Sequence, residues 1–294
     1  MIRSGLPLGL MAFRTYRNGF AVMRALVSSR QIEGSQERWL KSHVSKRQRI
    51  IFDVLSQRNR LYGKDFAVEF EGTTAVIDKR IRLVDAVHNG GIYPIFIRDC
   101  YRDLSVDRKI VIDIGANIAD SCVYFVLHGA QNVVGFEPFP HNYDTAVKNV
   151  EGNGLADRIN LVMAGCSGKS GRITVDTGTS NTMSQVEDLQ VGATVPIYDL
   201  AHIVSEYGGD VLKIDCEGCE YDAIMASSNT TLQNFQQIII EFHHGYSELK
   251  RKLEDANFHV SHDITGYWAS KKMLTGHVLA TRQGPRQQIE TITQ

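Results

Sequence analysis

Between residues 110 and 137 an apolar, β-branched run (Ile-Val-Ile-Asp-Ile) carries Asp113 and turns at Gly115 into a helical stretch. A second apolar run, 132–136, then ends in the carboxylate Glu137. Short apolar runs bounded by a turn residue and separated by a helix's length of chain read as strand, turn, helix and parallel strand. That unit commits the chain to an α/β sheet. Its glycine turn gives a ligand room to approach the backbone. A carboxylate about 20 residues further on stands where both hydroxyls of a ribose can be accepted. The expectation is a nucleoside-containing cofactor.

The turn decides which one. A dinucleotide site needs glycine at three positions, so that a pyrophosphate can rest on bare backbone at the helix N-terminus. Here Gly115 is followed by Ala116, Asn117, Ile118, Ala119 and Asp120. Two glycines are missing, and Asp120 puts negative charge where the pyrophosphate would sit. Asp113 and Asp120 suit a ligand with a cationic end, such as the ammonium and sulfonium of S-adenosylmethionine. The turn from Asp113 to Asp120, with Gly115, Ala116 and Asn117, is therefore assigned to the methionyl end of that cofactor and Glu137 to its ribose.

Apolar runs at 110–114, 132–136, 159–163, 210–214 and 237–242 alternate with helical stretches near 118–128, 141–152, 199–206, 219–227 and 246–256. This is the pattern of a mostly parallel sheet. Residues 171–197, rich in Thr, Ser and Gly, interrupt it as a hairpin or loop insertion, and 258–263 with 277–281 suggests an antiparallel pair at the sheet edge. Ligands of such sheets bind outside the carboxyl ends of the strands. Cys166 and Ser167 follow the third strand and are small enough to border an adenine. Asp215 and Glu217 follow the fourth, and Glu241 and His243 close the fifth. Carboxylates and an imidazole at neighbouring tips suit removal of a proton from a hydroxyl nucleophile. Crowding of negative charge there raises both carboxyl and imidazole pKa values. No metal is required; a divalent cation that orients the acceptor is the alternative use of the same groups.

The rest of the chain is less directive. The net charge of −1 conceals a first section, residues 1–64, with 13 Lys or Arg against Glu33, Glu37 and Asp53. Helical patterns are expected over residues 10–30 and about 36–61. In the first, Phe13, Tyr16, Phe20, Met23 and Val27 share a face that Arg14, Arg17 and Arg24 mostly leave. Such a face packs on the main domain or lies at an anionic membrane surface. Short strands at 66–70 and 74–77 read as a hairpin, and 95–104 as a helix leading into the sheet. The domain boundaries expected are 1–64 (basic helices), 65–108 (lead-in), 109–283 (cofactor-binding domain) and 284–294 (tail). No segment approaches the roughly 20 apolar residues that span a bilayer, and the run 6–13 is a poor signal peptide, although the Arg-rich start resembles a transit peptide. Five cysteines, Cys100, Cys122, Cys166, Cys216 and Cys219, are expected as free thiols in a reducing, cytoplasmic setting.

Taken together, Val111-Ile-Asp-Ile-Gly-Ala-Asn117, Gly135-Phe-Glu-Pro-Phe-Pro-His-Asn-Tyr143, Asn149-Val-Glu-Gly-Asn153, Leu212-Lys-Ile-Asp-Cys-Glu-Gly-Cys-Glu220 and Ile240-Glu-Phe-His243 resemble the FkbM family of S-adenosylmethionine-dependent methyltransferases. The resemblance covers about residues 95–260. It implies a class I Rossmann-like methyltransferase fold and methyl transfer to oxygen on sugar, glycan or secondary-metabolite hydroxyls. Ala119 departs from the pattern, which usually has a further glycine there. The expected partner is a small-molecule or glycan acceptor, with no nucleic acid, and with peripheral membrane contact through the basic helices; no oligomeric state is indicated. The rival readings are a non-catalytic cofactor-binding scaffold and a nicotinamide-dependent oxidoreductase.

Overall fold

The computed structural model describes residues 60–62, 65–86, 91–177, 191–268 and 273–283. The helices expected over 10–30 and about 36–61 lie outside this set, apart from the last residues of the second. Those residues are not helical: Arg60–Tyr62 forms a strand, β1. The chain divides into two compact units, Met1–Cys100 and Tyr101–Gln294.

In the first unit, β1 is followed by β2 (Ala67–Glu71), β3 (Thr74–Ile77) and β4 (Ile81–Leu83). They form an antiparallel meander in sequence order. The expected hairpin is its β2–β3 pair, turned at Gly72 with φ +62. Pairing with β2, Arg60 opposite Glu69, draws residues 60–62 into the ladder. The helix expected over 95–104 shrinks to a single wide turn, Tyr93–Ile97. Asp99, at φ +57, breaks the right-handed path just beyond it.

The second unit is built on one seven-stranded sheet. Its strands are β5 (Ile110–Ile114), β6 (Asn132–Phe136), β7 (Ile159–Val162), β11 (Val211–Ile214), β12 (Gln237–Phe242), β13 (Phe258–Trp268) and β14 (Met273–Arg282). Helices α1 (Asp120–Leu127), α2 (Pro140–Gly152), α3 (Leu200–Tyr207), α4 (Cys219–Ala226), the short α5 (Asn229–Leu232) and α6 (Ser247–Asp255) connect them. The spatial order is β13-β14-β12-β11-β5-β6-β7. All pairs from β12 to β7 are parallel, while β14 runs antiparallel to β12 and β13. This is the mostly parallel α/β architecture with an antiparallel C-terminal edge that the alternation of runs implies. β11 is buried along its whole length, and so is β5 but for its first residue. That explains why these strands read as continuous apolar runs rather than alternating ones. Ile112, Ile114, Leu212, Ile214, Ile238, Ile240 and Phe242 form the middle of the core.

The described residues of the insertion at 171–197 form the expected hairpin, which belongs to a second sheet of this unit. β9 (Gly171–Val175) and β10 (Ala193–Tyr198) form the hairpin, and the two-residue β8 (Gly165–Cys166) lies parallel to β10 on its other edge. Among the described residues no helix is long and apolar enough to cross a membrane.

The strand order reverses at β5. From there the chain moves through β6 to β7 on one side, and β11 and β12 lie on the other. The crevice at this switch is the position where open α/β sheets bind ligands. Its floor is ionic. Asp113 on β5 and Lys213 on β11 are cross-strand neighbours. Lys213 Nζ lies 2.8 Å from Asp113 Oδ1, with exposures of 2% and 0%. Removing one member of such a pair strands the other charge in the core. Lys213→Met should therefore cost about 3–5 kcal/mol of unfolding free energy, whereas Asp113→Asn combined with Lys213→Met should recover most of that loss. Urea unfolding of the two variants checks the non-additivity.

Candidate active site

The first half of the crevice is the turn after β5. Gly115 and Ala116 both donate their N–H groups to Phe136 O, at 3.0 and 2.9 Å, which fastens the turn to the end of β6. Gly115 has φ +79, and a Cβ built on it would lie 1.9 Å from Asp215 O. The neighbouring strand's loop by itself therefore requires glycine here. Asp113 differs from expectation. Besides Lys213 it accepts Ser121 Oγ–H at 2.6 Å and Cys122 Sγ–H at 3.2 Å. Its charge is spent inside the protein, so it is removed from the groups facing the methionyl end. Lys213 Nζ also donates to Gly115 O at 2.8 Å. Burial disfavours its ammonium, but Asp113 and Asp215 outweigh this and hold its pKa above the ordinary range.

Asp120 opens α1 and is buried, with Oδ1 accepting the Ser121 N–H at 3.0 Å. Burial pushes its carboxyl up to about 6, against the pull of Lys213. Glu137, also buried, turns back on its own chain. Oε2 accepts the Asn117 N–H at 2.8 Å, and Oε1 accepts the Phe139 N–H at 3.0 Å and Asn142 Nδ2–H at 3.5 Å. Burial raises it to about 7. Glu137 therefore staples the glycine turn to the tip of β6. Three buried acceptors around this turn, Asn117 Oδ1, Asp120 Oδ2 and Asn142 Oδ1, meet no donor among the described residues. Buried polar atoms without partners are rare and call for a ligand or water.

The second half is formed by the tips of β11 and β12. Asp215, Glu217 and His243 each present an atom within 4.8 Å of the others, so the four expected ionisable groups do gather, with Glu241 beside them. His243 Nε2 lies 3.4 Å from Glu217 Oε2 and Nδ1 lies 3.1 Å from Glu220 Oε1. Glu220 was not among the expected site residues. It is fully buried, and it also accepts the Gly218 N–H at 2.8 Å and the Cys216 N–H at 3.4 Å. On the far side, Glu241 stands opposite His277 across the β12–β14 ladder, 4.0 Å away, and His277 is in turn 3.2 Å from Asp263. The only sequence signal for these additions was a run of acids and an unpaired histidine on a strand.

Crowding acts as expected. Burial lifts Glu217 from 4.5 to about 8, opposed by His243 and reinforced by Asp215 and Glu241. Glu241 rises to about 7 through burial and the nearby Asp215. For His243 burial works against charge, yet the hydrogen bond to Glu220 and the field of Glu217 and Asp215 prevail, bringing it to about 10. Asp215, Glu217 and His243 are also spaced to hold a divalent cation.

Cys216 and Cys219 are bonded to each other, not free. Glu217 at φ +55 and Gly218 at φ +131 fold the chain back between them, bringing the two Cα atoms to 5.6 Å, within disulfide range. Spacing alone did not reveal that reversal. The loop so closed forms one wall of a cavity of about 450 Å³, with Cys166 and Ser167 on another. The two small residues expected beside adenine thus share a cavity with Glu217.

The methyltransferase FkbM domain matches residues 113–264, just over half of the chain. No curated protein matches it. Among solved structures, a methyltransferase FkbM from Methylobacillus flagellatus KT is 16% identical, with a TM-score of 0.44 over 63% of this chain and 47% of that one; the chain thus spans about half that protein's length. TrmK from M. capricolum, solved in complex with S-adenosylhomocysteine, is 12% identical, with a TM-score of 0.37 over 59% of this chain and 62% of that one. The B. subtilis M1A22 tRNA methyltransferase TrmK is 14% identical, with a TM-score of 0.39 over 60% and 62%.

Two outcomes follow from the site's chemistry. Asp120, Glu137, Glu217 and Glu241 all have folded-state pKa values above their unfolded ones. The folded chain therefore holds more protons from about pH 4.5 upward, and its stability falls as pH rises towards about 8. His243 acts in the same sense between 6.5 and about 10. Urea midpoints should accordingly decline from about pH 5 to about pH 9; a rising midpoint would contradict the assigned burial. Thiol titration of unfolded, unreduced protein should detect only Cys100, Cys122 and Cys166, with Cys216 and Cys219 appearing after reduction.

Proposed function

The chain belongs to the methyltransferase FkbM family, and from that premise we propose that it methylates a hydroxyl oxygen of a sugar, glycan or secondary metabolite, with S-adenosylmethionine as cofactor. The observation that carries the cofactor assignment is the trio of orphaned acceptors at the glycine turn, Asn117 Oδ1, Asp120 Oδ2 and Asn142 Oδ1. A ligand rich in donors and positive charge satisfies them. A pyrophosphate would instead meet Asp120 and Glu137, two carboxyl groups, which argues against a dinucleotide. Asp120 and Asn117 would hold the ammonium end, with the backbone of Gly115 and Ala116 as the wall. Glu137 would serve the ribose: a carboxylate offers about four acceptor positions, and three donors from the protein leave one open. Bound there, S-adenosylmethionine supplies an electrophilic methyl group.

The chain's own task is to align the acceptor and take its proton. Glu217 lines the cavity, whereas His243 lies behind it at 7% exposure. This favours Glu217 as the group that receives the hydroxyl proton and His243 as its partner, held by the buried Glu220 much as a buried carboxylate orients an imidazole in a catalytic triad. Asp215 and Glu241 set the field that keeps Glu217 basic. Alignment carries much of the rate gain, because the sulfonium is already activated.

Calorimetry with S-adenosylhomocysteine tests the cofactor, and detection of a methylated product tests the reaction; binding without turnover on any acceptor would point to a scaffold. Glu217→Gln should lower turnover by about 10²–10⁴-fold with cofactor affinity nearly unchanged. In the native enzyme kcat/KM should rise with pH through about 8, the pKa of Glu217. Retention of that rise in the Gln variant would move the base to another carboxylate.

A further inference from the structure

The cavity beside Glu217 has a second wall that methyl transfer does not explain. Lys169 lies in the turn between β8 and β9, and Arg172 is the second residue of β9; both line the cavity. The turn that carries them is braced from two sides. Ser170 Oγ donates to Asp199 Oδ2 at 2.8 Å and accepts the Asp199 N–H at 3.0 Å. Gly168 packs so closely on α4 that a Cβ would lie 2.8 Å from Asp222 O and 2.9 Å from Ala226 Cβ. The backbone that carries the two cations is thereby fixed, while their exposed side chains still give up rotamer freedom on meeting an anion.

Among the described residues neither cation has an acidic partner within ion-pair distance. Arg172 donates to Thr194 O at 3.2 Å, a neutral carbonyl. Two carboxyl groups also face the cavity. Glu217 is engaged with His243, 3.4 Å away, and Asp222, exposed on α4, can balance one cation at most. Ile173 and Ile197 give the floor an apolar character. The lining thus combines Glu217, the proposed proton acceptor, with two cations that have no ion-pair partner among the described residues, around a space of about 450 Å³. That volume lies in the range of small-molecule sites.

We infer that the acceptor is anionic, a small hydroxylated molecule whose phosphate or carboxylate group is held by Lys169 and Arg172 while its hydroxyl meets Glu217. This rests on the methyl-transfer reading of the cavity and narrows its substrate class. Calorimetric titration of the full chain with glucose 6-phosphate, glucuronate and glucose tests it. The first two arms separate phosphate from carboxylate, and glucose should bind about tenfold more weakly than the better of them. Lys169→Gln with Arg172→Gln should remove that advantage while S-adenosylhomocysteine affinity stays within about twofold. Equal binding of glucose, or an anion preference that survives the double substitution, would overturn the inference. So would displacement of the anionic sugar by S-adenosylhomocysteine, which would give the cavity to the cofactor, or tighter binding of an oligoribonucleotide through the same two residues. If S-adenosylhomocysteine does not bind the native chain at all, the methyl-transfer reading fails on its own, and the sugar titrations still decide whether the cavity selects anions.

Discussion

The ion pair between Lys213 and Asp113 sits at the one place where the sheet changes direction, and the site is arranged around it. An ammonium with 2% exposure survives only if every donor finds an acceptor. Lys213 reaches the carboxylate of Asp113 and the carbonyl of Gly115. In doing so it ties the tip of β5 to the tip of β11. The same proximity brings Asp215 O over Gly115, so that no side chain fits there. One buried cation therefore fixes the turn on one side of the crevice and the loop on the other. A hydrophobic pair would pack the sheet as well, but it would not hold two carbonyl-rich turns in register.

From that fixed point the charges divide. Among the described residues the glycine-turn side carries acceptors without donors, and the β11–β12 side carries acids paired with imidazoles. In the proposed function the two sides take different partners: a donor-rich, cationic ligand on the first and a hydroxyl on the second. Glu220 makes the second side possible. Sitting in the first turn of α4, where a negative charge is favoured, it binds two loop amides and the inner nitrogen of His243. The outer nitrogen is thereby aimed at Glu217.

Much of this was legible in the sequence, for identifiable reasons. The strands β5, β6 and β12 and the helices between them announce themselves because buried parallel strands are uninterrupted apolar runs. Glu137 and the acids at the strand tips follow from the rule that such tips face the ligand. Lys213 lies in plain view as a charge within Val-Leu-Lys-Ile, an anomaly for a buried strand. Its partner could be named only once β11 was known to lie beside β5, and spatial order is not written in periodicity. The two-residue β8 has no period to detect. Glu220 looked like one more acid at a helix start, and the Cys216–Cys219 bond depended on the left-handed backbone of the two residues between.

Left-handed backbone recurs where the site's loops turn. Asn117 (φ +48), Ala119 (φ +66) and Glu217 (φ +55) are all non-glycine residues in that region. For Ala and Glu it carries a penalty of about 1–2 kcal/mol each, which surrounding interactions must offset. At Glu217 the offset comes from the disulfide and from the grip of Glu220 on Gly218 and Cys216. At Asn117 it comes from Glu137, which accepts its N–H. Ala119, fully buried at the start of α1, explains why the family pattern usually has a glycine there: the position demands φ above zero, and the methyl group's effect is felt in the backbone more than in the space left for a cofactor. The departure from the pattern is thus a local strain on the turn, tolerated because Lys213 and Glu137 hold its two ends.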